Sequence, residues 1–137
     1  MTSTAKAPSQ GLNIALWVIQ ALLALAFIGS GMMKLTTPVD ELIKMGMSWA
    51  ADMPWLPKFI GLSEVLGGLG LILPAATRIM PVLTPLAAAL LTLVMVLGVG
   101  VHIATGDIAH SPPAFILGAL SAFVAYGRSK LVPIAAR

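Results

Sequence analysis

Three ionisable side chains stand in stretches that are otherwise almost wholly apolar: Lys34 in SGMMKLTTP, Glu64 in IGLSEVLGGLG and His102 in GVGVHIATGD. A charge in hydrocarbon costs about 3 kcal/mol or more, so each must meet another polar group, reach the headgroups or line a hydrated space. Together an amine, a carboxylate and an imidazole form an acid–base set. Lys34 and His102 can donate to ligand oxygens and Glu64 can take up or pass a proton, which makes the three the candidate catalytic residues. At helical spacing Gly61 and Gly68 share a face with Glu64, and Gly98 shares one with His102. With Trp49 and Trp55 these glycines are the candidate walls of a binding site. Plainer roles exist for each: Lys34 reaching the headgroups, Glu64 as a structural partner of Lys34 or a neutral hydrogen-bonded acid, His102 as an interfacial imidazole. His110 reads as a solvated loop residue. No metal or haem site is expected, because no other soft ligand stands beside the two histidines.

The elements that must position these groups are helices in a bilayer. Of 137 residues 58% are hydrophobic and 9% charged, too few polar groups to cover a water-soluble domain of this size. The apolar runs are uninterrupted over helical lengths, without the alternation of a membrane barrel. The expected fold is therefore all-α, a four-transmembrane-helix bundle with spans over about 12–34, 59–76, 81–104 and 113–127. The apolar core of the second span stops at Pro74, and the fourth is the shortest. Residues 1–11 and 129–137 read as terminal tails. The first run is too long for a signal-peptide core and is expected to stay as a helix. Between the first two spans a short interfacial helix is expected, capped by Thr37, begun by Pro38, with Asp40 and Glu41 in its first turn and Leu42, Ile43 and Met47 toward lipid.

Charge suggests an orientation. With four spans, Lys6, Arg78, Arg128, Lys130 and Arg137 share one side, and Lys34, Lys44 and Lys58 the other with the acidic residues. The side richer in Lys and Arg is expected to be cytoplasmic, so both termini are placed there, in a bacterial inner membrane. Lys34, Glu64 and His102 then share the outer leaflet, where an outer-leaflet pocket is expected. The net charge of +3 is scattered, which argues against a nucleic-acid partner. The absence of cysteine excludes disulfides and any thiol relay within this chain.

The segments FIGSGMMKLTTP, PKFIGLSEVLGGLGLILPAATRI, VLGVGVHIATGD and AFVAYGRSK, in this order and spacing, resemble the DoxX-like family of small bacterial four-helix membrane proteins. The likeness runs from Asn13 to Lys130. It implies a compact bundle with Lys34, Glu64 and His102 on recurrent polar positions, and an association with membrane redox chemistry, since the family takes its name from a subunit of a thiosulfate:quinone oxidoreductase. The expected ligand is a lipophilic molecule such as a quinone, with a partner redox subunit handling electrons. Alternatives are a cofactor-free membrane isomerase or hydrolase using Glu64 as acid or base, and a non-catalytic assembly subunit associating through its glycines. A homo-oligomer fits each of these readings.

Overall fold

The computed structural model describes residues 10–137, and all of their regular structure is helical. Residues 1–9 of the expected N-terminal tail lie outside the described residues; 10 and 11 already belong to the first helix. The helices are α1 (Gln10–Thr36), α2 (Val39–Lys44), α3 (Leu56–Thr77), α4 (Leu83–Ala104) and α5 (Pro112–Tyr126). Short 3₁₀ turns at Ser48–Ala51 and Ile108–His110 lead into α3 and α5, and a π-helical turn at Gly127–Leu131 extends α5. Helices α1, α3 and α4 are long and apolar enough to cross a membrane. Their outward faces carry exposed Leu22, Leu25, Leu66, Leu90, Leu93 and Leu97, a surface that suits lipid and not water.

The long helices pack antiparallel in sequence order, α1 on α3, α3 on α4 and α4 on α5, with α5 closing back on α1. Small residues set the approach. A Cβ built on Gly31 would fall 2.5 Å from the Gly61 carbonyl oxygen, and one on Gly61 would fall 2.7 Å from that of Gly31, so the two backbones touch where α1 crosses α3. Phe27, Leu16, Leu23, Leu71 and Leu91 fill the interior.

Two local expectations are corrected. The second long helix begins at Leu56, earlier than 59, because Pro57 sits in the first turn, where no intrahelical N–H bond is required of it. It also continues through Pro74 to Thr77. Proline removes the bond that the Gly70 carbonyl would accept, and Thr84 of α4 supplies it with an Oγ1 donor at 2.9 Å. One turn of rescue lets the helix run on. The short α2 is capped neither by Thr37 nor by any other side chain; its N-cap is Pro38, and Thr37 N still bonds back to Met33 O of α1. Leu42, expected toward lipid, is buried.

Each end of the bundle carries its own polar network. At one end, called here the Arg128 end, Gln20 Nε2 donates to Leu71 O at 2.6 Å. Arg128 Nε donates to Gln20 Oε1 at 2.6 Å, and its Nη1 to Asn13 Oδ1 at 2.7 Å and Val132 O at 3.0 Å. The guanidinium also lies over the Trp17 ring, 5.3 Å from its centroid. The C-terminal segment is held as well: Arg78 Nε donates to Ala135 O and Arg137 N to Arg78 O. The other end is the Glu64 end.

Candidate functional site

At the Glu64 end α1, α3 and α4 bring their ionisable residues to one depth. Glu64 is 1% exposed, and its Oε1 accepts from Lys34 Nζ at 2.7 Å. The same amine donates to Ser30 Oγ at 2.6 Å, one helical turn earlier on α1. An ammonium has three donors, and these are its two partners among the described residues. Lys58 is separate. It donates to the carbonyls of Lys34, Leu35 and Thr37, capping the C-terminus of α1 where four carbonyls lack helical partners.

His102 stands across a cavity of about 280 Å³ whose walls include Ser30, Lys34, Glu64, Trp49, Gly98 and His102. Its Nδ1 is buried without a hydrogen-bond partner. Asp107 Oδ2 lies 3.5 Å away, in the range of charge attraction but outside hydrogen-bond geometry. Local backbone explains the proximity. Gly106 has φ +76°, the left-handed conformation that ends a helix, and Asp107 N closes back on His102 O at 2.7 Å. The following 3₁₀ turn places His110 three residues on, where its Nδ1 and Asp107 Oδ1 are 2.6 Å apart. His110, expected as a plain loop residue, also lines the cavity, and its ring is the nearest group to Gly46 in the opposite loop.

The hydrogen bond with His110 holds the Asp107 carboxyl below its usual value of 3.8, against the opposing effect of desolvation and with further lowering from the two histidines' charges. A carboxyl whose folded value is depressed adds stability above its unfolded value and loses it as pH falls through the lower, folded one. Asp107 is therefore expected to remain ionised when pH drops just under 3.8. A titration followed by its carboxyl ¹³C shift checks this, and His110→Ala should move the midpoint back up; a midpoint indifferent to His110 would discard the account.

A second cavity of about 300 Å³ adjoins the first. It is apolar, between α3 and α4, bounded by Phe59, Ser63, Leu97 and Val101. Trp49, Ile60, Val94, Gly98 and His102 belong to the walls of both. The candidate residues thus divide. Lys34, Glu64, His102, Trp49 and Gly98 surround one space. Trp55 is exposed and packs edge-on against Phe59, outside both cavities. Gly61 meets the Gly31 backbone and Gly68 meets Ile28 and Ala24, so both serve the α1–α3 crossing. Among the described residues no group of His, Cys, Asp and Glu is arranged to hold a metal ion.

A family model described as the DoxX-like family matches residues 18–124, most of the chain. The chain belongs to the DoxX-like family. It is accordingly a helical membrane protein, in keeping with its three long apolar helices. No curated protein and no solved structure matches it. Within this DoxX-like chain the matched region contains Lys34, Glu64, His102 and Asp107, whereas Asn13 and Arg128 of the opposite network lie beyond it.

Sequence reasoning overlooked Gln20 and Ser30 as partners, and read Arg128 only as a cytoplasmic charge. A signal was there for Gln20: a lone amide in an apolar span is as demanding of a partner as a charge is. Nothing in the spacing from Gln20 to Arg128 announces that they meet.

Proposed function

We propose that this DoxX-like protein binds a lipophilic molecule with a polar, oxygen-bearing head and an apolar tail, of which a quinone is the best example. The continuity of the two cavities through Trp49, Ile60, Val94, Gly98 and His102 carries this reading. One space offers an amine, a carboxylate and an imidazole; the other shares that imidazole and Trp49 at the junction and is otherwise apolar apart from Ser63. Such a pairing of a mostly apolar cleft with a few convergent polar groups suits small-molecule binding, and the two volumes together fall within the usual range of about 300–1,000 Å³. A ligand carbonyl or hydroxyl at the wall shared by the two cavities would meet the His102 imidazole there.

A quinone, when bound, exchanges two electrons and two protons. This chain supplies the binding groups and the proton carriers, and without cysteine it offers no thiol route for electrons, so a partner redox subunit completes the reaction. The wider topology follows the same reading. Helix α5 and the π-helical turn run on together from 112 to 131, about the 20 residues that cross a hydrocarbon core, and so form a fourth span. Both termini then lie on the cytoplasmic side of a bacterial inner membrane, with α2 at the outer interface and the Glu64 end facing outward.

The test is a titration of a short-chain ubiquinone into the purified protein in lipid nanodiscs, followed by quenching of tryptophan fluorescence. Glu64→Gln and His102→Ala are each expected to weaken binding by about tenfold, the equivalent of one hydrogen bond to a charged or orphaned group. Equal affinity in all three proteins would remove the site.

A further inference from the structure

We propose that His102, Asp107 and His110 form a proton relay between the cavity and the water at the Glu64 end of the bundle. The arrangement is a carboxylate between two imidazoles: Asp107 Oδ1 lies 2.6 Å from His110 Nδ1 and Oδ2 lies 3.5 Å from His102 Nδ1. Exposure rises along the series. The side chains are 19%, 26% and 62% exposed for His102, Asp107 and His110, so the series starts at a shielded wall of the cavity and ends at its exposed rim, where His110 meets water.

The buried, unpartnered Nδ1 of His102 is the feature that a purely structural role leaves unexplained. A structural histidine of this kind would satisfy that nitrogen. Here a carboxylate oxygen lies 3.5 Å away, and a ring rotation closing the gap by about 0.5 Å brings the pair into hydrogen-bond range. The backbone is shaped for this approach, since the left-handed Gly106 and the Asp107 N bond to His102 O fold the loop back under the imidazole.

The transfer balances without electrons. From an imidazolium His102, the Nδ1–H bond breaks as the proton passes to Asp107 Oδ2. The carboxyl turns to present that proton to His110, which receives it on Nδ1 when its ring is in the Nε2–H tautomer, and His110 gives up its Nε2 proton to water, leaving the Nδ1–H that donates to Asp107 Oδ1. The carboxylate and both neutral rings are restored once the His110 tautomer relaxes. Ionisable groups around the path are few. Of the elements walling the cavity α1 contributes Lys34, α3 Glu64, α4 His102 and the 3₁₀ turn His110, while the 45–49 turn and the start of α5 contribute none. Lys34 and Glu64 are occupied with each other, so His102 is the cavity residue placed to hand a proton outward. The relay deepens the ligand-binding reading by giving that site an exit for protons, but its operation is measured without any ligand.

The experiment uses full-length protein labelled with ¹⁵N-histidine in nanodiscs and reads the exchange of the His102 ring proton with water by NMR. Asp107→Asn keeps the shape but cannot carry a proton at neutral pH, and His110→Ala removes the outer ring. Both are expected to slow His102 exchange by about tenfold or more, with backbone spectra otherwise unchanged, and free imidazole in the buffer should restore the rate in His110→Ala. Unchanged exchange in both variants overturns the relay, as does slowing that imidazole fails to relieve. A failed quinone titration leaves this result standing, and a failed exchange experiment leaves the binding reading untouched.

Discussion

Lys34→Ala is expected to destabilise the bundle by about 3–5 kcal/mol, the cost of leaving a buried carboxylate without its counter-charge. Glu64 is almost wholly shielded and has Lys34 as its one side-chain partner among the described residues. Removing the amine forces the acid to take a proton, draw water into the helix interface or part α1 from α3. The pair itself contributes far less than this number suggests, because both groups lose hydration in reaching each other. Replacing both, as Lys34→Met with Glu64→Leu, should therefore restore most of the stability or exceed it. Reversible unfolding in mixed micelles, arranged as a double-mutant cycle, separates the two cases. If Lys34→Ala costs under about 1 kcal/mol, the pair behaves as a solvated surface bridge and the cavity is wetter than its geometry implies.

Arg128→Ala should have an effect of similar size at the opposite end. The guanidinium is buried, has no carboxylate among its hydrogen-bond partners in the described residues, and donates from Nε and Nη1 to Gln20, Asn13 and Val132, while Nη2 is buried without a partner. Truncation strands three acceptors at once, and hydrogen bonds to a charged group are worth about 1.5–3 kcal/mol each before relaxation. A net loss of about 3 kcal/mol or more is expected in the same assay. Arg128→Lys should rescue little of it, since a compact ammonium cannot span acceptors that a planar fork reaches together. Trp17 offers a local probe: its emission should shift in Arg128→Ala, as the cation leaves the ring face. Full stability of the lysine variant would mean that charge alone is what the site requires.

These two sites show how unevenly a membrane sequence reveals itself. Long apolar helices and their order were readable because hydrocarbon forbids unpaired backbone, so any run of such length must be a helix. The common depth of Lys34, Glu64 and His102 followed from antiparallel succession alone, and so did the idea of a space among them. Contact did not. Whether Lys34 reaches Glu64 depends on helix rotation and on the Gly31–Gly61 approach, which no periodicity encodes. Gly61 and Gly68 allowed two readings for a related reason, since a small residue beside an acid marks close packing as readily as a ligand wall, and the structure sets both at the α1–α3 crossing. Pro74 was read as a stop because its local effect is certain, while its remedy lies on another helix. Asp107 escaped notice as a mere loop acid, although a glycine followed by aspartate just after a helical histidine is a recognisable turn that folds the chain back.

Lys58 carries a mechanical implication. By gripping three carbonyls at the foot of α1 from the start of α3, beside the Lys34–Glu64 bridge, it fuses those two helices into one lever. Among the described residues no hydrogen bond or ion pair fastens α4 or α5 to that lever at the Glu64 end; the polar ties that join the two halves, Thr84 to Gly70 and Arg128 to Gln20, sit at the far end. The two halves are thus tied by polar bonds at the Arg128 end and by apolar packing at the Glu64 end, so the α3–α4 seam at the Glu64 end is where spreading the helices breaks no described hydrogen bond.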